Sequence, residues 1–129
     1  MDLEKIFKNL IIANFVAMFF IIISSMNMPK DLMEMSAYIP MGIYETEFGA
    51  FLPFLILIAH AISLILLYRY VSYGKKVYVA ITFISIIIDL AGGAILLTSL
   101  TLNLVVITSM INGAILTLLF FSPIKNKFS

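Results

Sequence analysis

The stretch FLPFLILIAHAISLILL, Phe51 to Leu67, contains no Asp, Glu, Lys or Arg. It is apolar without strict alternation, and its length suits a crossing of the lipid hydrocarbon core. Inside lipid every backbone N–H and C=O must be paired within the protein, and a helix does this within its own segment. Helix is therefore the expected state despite the many β-branched residues. The same reading applies to three more segments, one of them built on LIIANFVAMFFIII, Leu10 to Ile23. Helices are expected over about 6–26, 51–68, 77–97 and 102–121. Pro53 falls in the first turn of the second, where a missing N–H costs little. Pro123 follows the fourth and helps to end it.

Composition supports a membrane chain. Of 129 residues, 63% are hydrophobic and 12% charged, and the mean hydropathy is +1.14. Soluble chains are typically ~45–50% apolar and ~25% charged. With ~20 residues per span, the loops cannot hold a soluble catalytic domain, so residues 1–129 read as a single membrane domain. There is no cysteine, which removes disulfides, thiolate nucleophiles and a lipid-anchored N-terminal cysteine. A net charge of +1 offers no basic field for nucleic acid. Lys5 and Lys8 before the first apolar run resemble the start of a signal peptide. The run is long, however, and Ser24-Ser25-Met26-Asn27-Met28 has no A-x-A cleavage pattern, so a retained helix is expected.

The basic residues orient the chain. Lys5, Lys8, Arg69, Lys75, Lys76, Lys125 and Lys127 fall on one side of the expected spans, and Lys30 alone on the other. By the positive-inside rule both termini and the 2–3 loop are cytoplasmic, and the loop over about 27–50 is outside. The expectation is an all-α, four-span antiparallel bundle in the inner membrane. Tyr68, Tyr70, Tyr73 and Tyr78 suit a cytoplasmic aromatic belt. The short turn near Thr98–Thr101 would make the third and fourth helices antiparallel neighbours.

The outer loop is acidic, with Asp31, Glu34, Glu45 and Glu47 against Lys30. Asp31 and Glu34 resemble a helix start, Leu32, Met35 and Ile39 share a face, and Pro40 is a stop, so a short interfacial helix is expected. Met26, Met28, Met33 and Met35 pair thioethers at one-residue spacing, a weak Cu(I) pattern. The preferred reading is flexible apolar filler where the segment meets lipid, and no cofactor is expected. For Glu45 and Glu47 a solvated loop is preferred over a cation site.

Polar residues at matched depth carry the candidate chemistry. His60 and Asn112 lie at the centres of the second and fourth helices. Asp89 lies ~3 Å past the centre of the third at 1.5 Å per residue. A charged, unpaired Asp at a span centre costs ~2.5–3.5 kcal/mol on the insertion scale, so Asp89 should turn inward and pair. His60 is the expected partner, with Asn112 donating to the same carboxylate. Ser85 shares the Asp89 face, and Ser109 clusters with Asn112. Interhelical glue is preferred over a proton-titrating site for His60, Asp89, Asn112, Ser85 and Ser109. Asn14 is expected nearer the cytoplasmic side, also as glue.

The segment from Asn112 to Lys125, NGAILTLLFFSPIK, resembles the end of uncharacterised small bacterial four-helix inner-membrane proteins. Those finish with a similar GAIL-type apolar run, then Phe-Ser-Pro and basic residues. The resemblance covers about a tenth of the chain and implies the same four-helix architecture; it carries no activity and no site residues. Gly93-Ala94-Ile95-Leu96 repeats the GAIL tetrapeptide, too short to mark an internal repeat. Small proton-coupled multidrug exporters share the size but place a membrane carboxylate in helix 1, where this chain has Asn14.

No HExxH, GxSxG, Walker A or Rossmann pattern is present. The expected role is non-enzymatic: binding or regulating another membrane protein, as an accessory subunit or immunity-type factor, with the bilayer and possible self-association as further partners. The alternative is an oligomeric proton-coupled transporter or channel subunit using His60 and Asp89. An enzyme acting on a lipid-like substrate near His60 ranks third.

Overall fold

A computed structural model describes residues 2–92 and 95–128. The described residues form five α-helices and two 3-10 turns, with no strand among them. Helix α1 is Leu3–Met26, α2 is Lys30–Ser36, α3 is Glu47–Tyr68, α4 is Gly74–Ala91 and α5 is Ser99–Phe121. The 3-10 turns are Gly42–Glu45 and Pro123–Phe128. Three helices, α1, α3 and α5, are long and apolar enough to cross a membrane. Helix α4 is not among them: its 18 residues include Lys75, Lys76 and Asp89.

Three of the four long helices start earlier than their apolar cores because side chains cap them. The Asp2 carboxylate accepts from the Glu4 and Lys5 N–H groups, starting α1 at Leu3. Thr46 Oγ1 accepts from Gly49 N–H at 2.9 Å and starts α3 at Glu47. Pro53 is therefore inside α3 rather than in its first turn, and its absent N–H leaves the Gly49 carbonyl without that helical bond. Thr98 caps α5 through Thr101 N–H.

Helix α4 departs most from expectation. It begins at Gly74 and ends at Ala91, with Gly92 as its C-cap, while Ile95–Leu97 are non-helical. Gly93 and Ala94, with which the second GAIL tetrapeptide begins, lie outside the described residues. Consecutive glycines favour helix termination because each lowers helix propensity by ~1 kcal/mol relative to Ala. The connection to α5 is accordingly longer than the expected Thr98–Thr101 turn. Helices α4 and α5 are not the main packing pair; α1 packs chiefly on α5, and α3 on α4.

The buried core is concentrated where the chain termini meet. Phe7 and Ile11 of α1, Leu64 and Leu67 of α3, Tyr78 of α4, and Ile115 and Leu119 of α5 are fully buried together. Ile124 and Phe128 of the last turn complete this cluster. Phe7 stacks with Tyr70 at 6.0 Å and meets Phe128 edge-on at 6.2 Å. Around this end Lys8 Nζ lies 5.3 Å from the Tyr68 ring and 5.4 Å from the Tyr70 ring, and Lys75 Nζ lies 4.1 Å from the Phe120 ring. Glu4 and Lys127 pair at 2.8 Å. Tyr78 is thus a core residue and not, as its neighbours suggested, part of an exposed aromatic belt.

The far end is looser and more polar. Ser24 and Thr101 hydroxyls bond at 2.7 Å between α1 and α5. The Gly42–Glu45 turn closes over the end of α4: at Gly42, whose φ is +57°, a Cβ would stand 2.5 Å from the Ala91 carbonyl oxygen. The short helix α2 forms where the sequence indicated, with no buried residue.

Candidate functional site

Toward the looser end a cleft of about 310 Å³ opens among the four long helices and Tyr44. His60 of α3, Ser85 and Asp89 of α4, and Thr108 and Asn112 of α5 line it, with Met18, Ile21, Ile56 and Leu57 as apolar wall. Four of the five polar residues singled out in the sequence thus share one cavity. Ser109 does not: it is exposed, and its hydroxyl donates to the Val105 carbonyl at 2.9 Å.

The pairing inside the cleft differs from expectation. Asp89 does not bond His60 or Asn112. Because α4 stops at Ala91, Asp89 occupies its last turn, well beyond the helix centre, and is exposed there. Its Oδ1 accepts from the Tyr44 hydroxyl at 3.4 Å. Burial, followed by the charge of Asp89, raises the Tyr44 pKa above its ordinary value, so the phenol remains a donor.

Asn112 serves a different network. Its Oδ1 accepts from the Tyr78 hydroxyl at 2.8 Å and from the Asn14 amide. One carbonyl oxygen therefore joins α1, α4 and α5. Asn14 is fully buried, near the middle of α1 once the Asp2 cap extends that helix back to Leu3. The expected placement of Asn14 toward the cytoplasmic side assumed a later helix start. His60 sits above this network, its ring 5.5 Å from that of Tyr78. Its Nε2 is buried with no hydrogen-bond partner among the described residues, and Asn112 lies beside the ring.

The serine and threonine hydroxyls of the cleft are engaged with backbone. Ser85 donates to Thr82 O at 2.9 Å, and Thr108 to Leu104 O at 2.8 Å, the usual back-bonding of helical Ser and Thr. Ser63 donates to the His60 carbonyl at 2.7 Å. None of these hydroxyls bonds the His60 imidazole, so among the described residues no nucleophile–base pair of the kind acyl transfer requires is assembled here. Among the described residues no group of three or more His, Cys, Asp or Glu side chains could hold a metal ion. Met33 and Met35 lie on α2, where residues two apart do not face each other. Their spacing therefore does not converge two thioethers, and both side chains, like Met26, are exposed.

Tyr44, Tyr78 and Thr108 were not anticipated as site residues. Two carried a periodic signal: Tyr78, Thr82, Ser85 and Asp89 form a polar stripe at helical spacing, as do Thr101, Thr108 and Asn112. Tyr44 comes from a distant loop segment and had none.

Compared with known proteins, the chain matches no family model, no curated protein and no solved structure.

Proposed function

We propose that this protein is a four-pass inner-membrane protein with both termini cytoplasmic, akin to the small bacterial proteins its C-terminal segment resembles. On this reading α4 is the fourth span. Its apolar middle, about 77–88, is flanked by Lys75 and Lys76 at one end and Asp89 at the other, and a short span is accommodated by local bilayer thinning. Residue contacts support an up-down arrangement. Lys8 with Tyr68, Lys75 with Phe120 and Glu4 with Lys127 cluster at one end, and Ser24 with Thr101 and Tyr44 with Asp89 at the other. Reporter fusions after residue 129, within 69–73 and within 37–41 test it. The first two should report cytoplasm and the third the outside; any reversal overturns the topology.

The proposed role is non-enzymatic: binding or regulating another membrane protein, as an accessory or immunity-type factor. The observation that supports it is the cleft among the four long helices. It is lined by His60, Asp89 and Tyr44 together with Asn112, whose side chain also belongs to the Asn14–Asn112–Tyr78 network that ties α1, α4 and α5. A second reading, a proton-coupled transporter subunit, draws support from His60 and Asp89 lining the same cavity.

Reconstitution separates the two. Purified protein alone in liposomes should show no proton flux above empty vesicles, while gently solubilised native membranes should yield it in a complex of defined size. Proton flux abolished by Asp89→Asn and by His60→Ala would replace the first reading with the second. A chain that isolates only alone would also overturn the first.

A further inference from the structure

We propose that the cleft is a receptor for a single alkylammonium group, either a small free amine or the lysine side chain of a partner. This rests on the receptor reading above and names the chemistry it would recognise. Among the described residues Asp89 is the only carboxylate lining the cleft, and no lysine or arginine lines it. The ion pair found among the described residues, Glu4 with Lys127, lies at the opposite end of the molecule. Among the described residues Asp89 therefore has one long hydrogen bond, from Tyr44, and no ion-pair partner. It also stands in the last turn of α4, where the helix dipole disfavours an anion. An anion so placed, beside an apolar wall, is stabilised by a cation that enters the cleft.

The walls select the kind of cation. Besides Asp89, the cleft's side-chain oxygens are the Tyr44, Ser85 and Thr108 hydroxyls, each donating elsewhere, and the Asn112 carbonyl, which already accepts two hydrogen bonds, a poor set to replace the water of a hydrated metal ion; Met18, Ile21, Ile56 and Leu57 make up the apolar wall. Those residues do suit a short aliphatic chain. The cleft's volume of about 310 Å³ is at the small end of ligand sites. It accommodates an alkylamine or one side chain. The ammonium meets the Asp89 carboxylate at the mouth, and the chain lies on the apolar wall toward His60.

The test uses the whole protein in zwitterionic nanodiscs, titrated with n-butylammonium, with n-butanol as the neutral counterpart, and followed by calorimetry and by the NMR signals of labelled methionine methyls. Saturable binding of n-butylammonium that shifts Met18 is expected. Asp89→Asn should weaken it at least tenfold, and Asp89→Glu should retain it within about threefold. N-acetyl-lysine methylamide binding more tightly than n-butylammonium would identify a partner's lysine as the source; the reverse order would identify a free amine. Equal binding of n-butanol, an unchanged affinity in Asp89→Asn, or no saturable binding would each overturn the proposal. If the native complex is isolated while the unmodified protein binds no amine, only this inference falls. Loss of the native complex in the unmodified protein removes the receptor reading itself.

Discussion

The Tyr78 hydroxyl donates to Asn112 Oδ1 at 2.8 Å, and the same oxygen accepts from Asn14. Lipid supplies little hydrophobic drive between helices, so polar links and close packing hold such contacts. Tyr78→Phe should lower stability by about 1 kcal/mol, since one bond is lost and no buried group is left charged. Asn112→Ala should cost about 2 kcal/mol, because it strands both buried donors. Equilibrium unfolding in mixed micelles checks the order; a Tyr78→Phe effect as large as that of Asn112→Ala would show that the carbonyl is not the shared acceptor.

Tyr44 ties the loop before α3 to the end of α4, and its pKa is raised above 10.0, first by burial and then by Asp89. A group with a raised folded pKa contributes stability that is fully present below its unfolded pKa. That stability is lost as pH rises through the folded value. The loop should therefore stay docked through neutral pH and loosen only above about pH 10. NMR titration with ring-labelled tyrosine should show the Tyr44 midpoint falling in Asp89→Asn but remaining above the ordinary phenol value, because burial is the larger cause.

The last turn, Pro123–Phe128, places Phe128 in the core against Phe7 and Tyr70. Phe128→Ala should destabilise by roughly 3 kcal/mol, as expected when a buried aromatic leaves a cavity. Lys127→Ala breaks the 2.8 Å pair with Glu4, whose members are about half exposed. Solvent screens that pair, and no measurable change in Tm is expected. Thermal melts of the two variants under one detergent condition compare them directly.

Two glycines on long helices should respond oppositely to Ala. At Gly49 a Cβ would lie 1.8 Å from the Ile43 carbonyl oxygen, which is backbone and cannot step aside. Gly49→Ala should therefore displace the Gly42–Glu45 turn and cost at least ~1–3 kcal/mol. At Gly113 nothing lies within 4 Å. Gly113→Ala should be neutral or stabilising by up to ~1 kcal/mol through helix propensity. Destabilisation at Gly113 in nanodiscs would mean that another helix packs on that face.

Much of this was legible in the residues. Helix content follows from apolar segments too long and too continuous for anything else in lipid, and three of the four expected spans are present as membrane-length helices. The short helix near Asp31 was marked by its own acidic start and proline stop. Four of five polar candidates share the cleft because helical spacing and depth are local properties of a chain. The helix starts were less visible, since Asp2, Thr46 and Thr98 caps lie outside the apolar cores that periodicity detects.

Periodicity and hydropathy depend on neighbours a few residues apart, so the chain alone determined its helical character, the clustering of basic residues, and the polar stripes on α4 and α5. Which polar group bonds which is decided by where each helix stops and how the helices rotate against one another. In the last turn of α4, Asp89 bonds Tyr44 of the turn packed on that helix end and not His60. The packing of α1 on α5 brings Asn14 to Asn112. A shift of a few residues in a helix end changes depth by several ångströms at 1.5 Å per residue, more than the reach of a hydrogen bond, and only the packed tertiary structure sets that register.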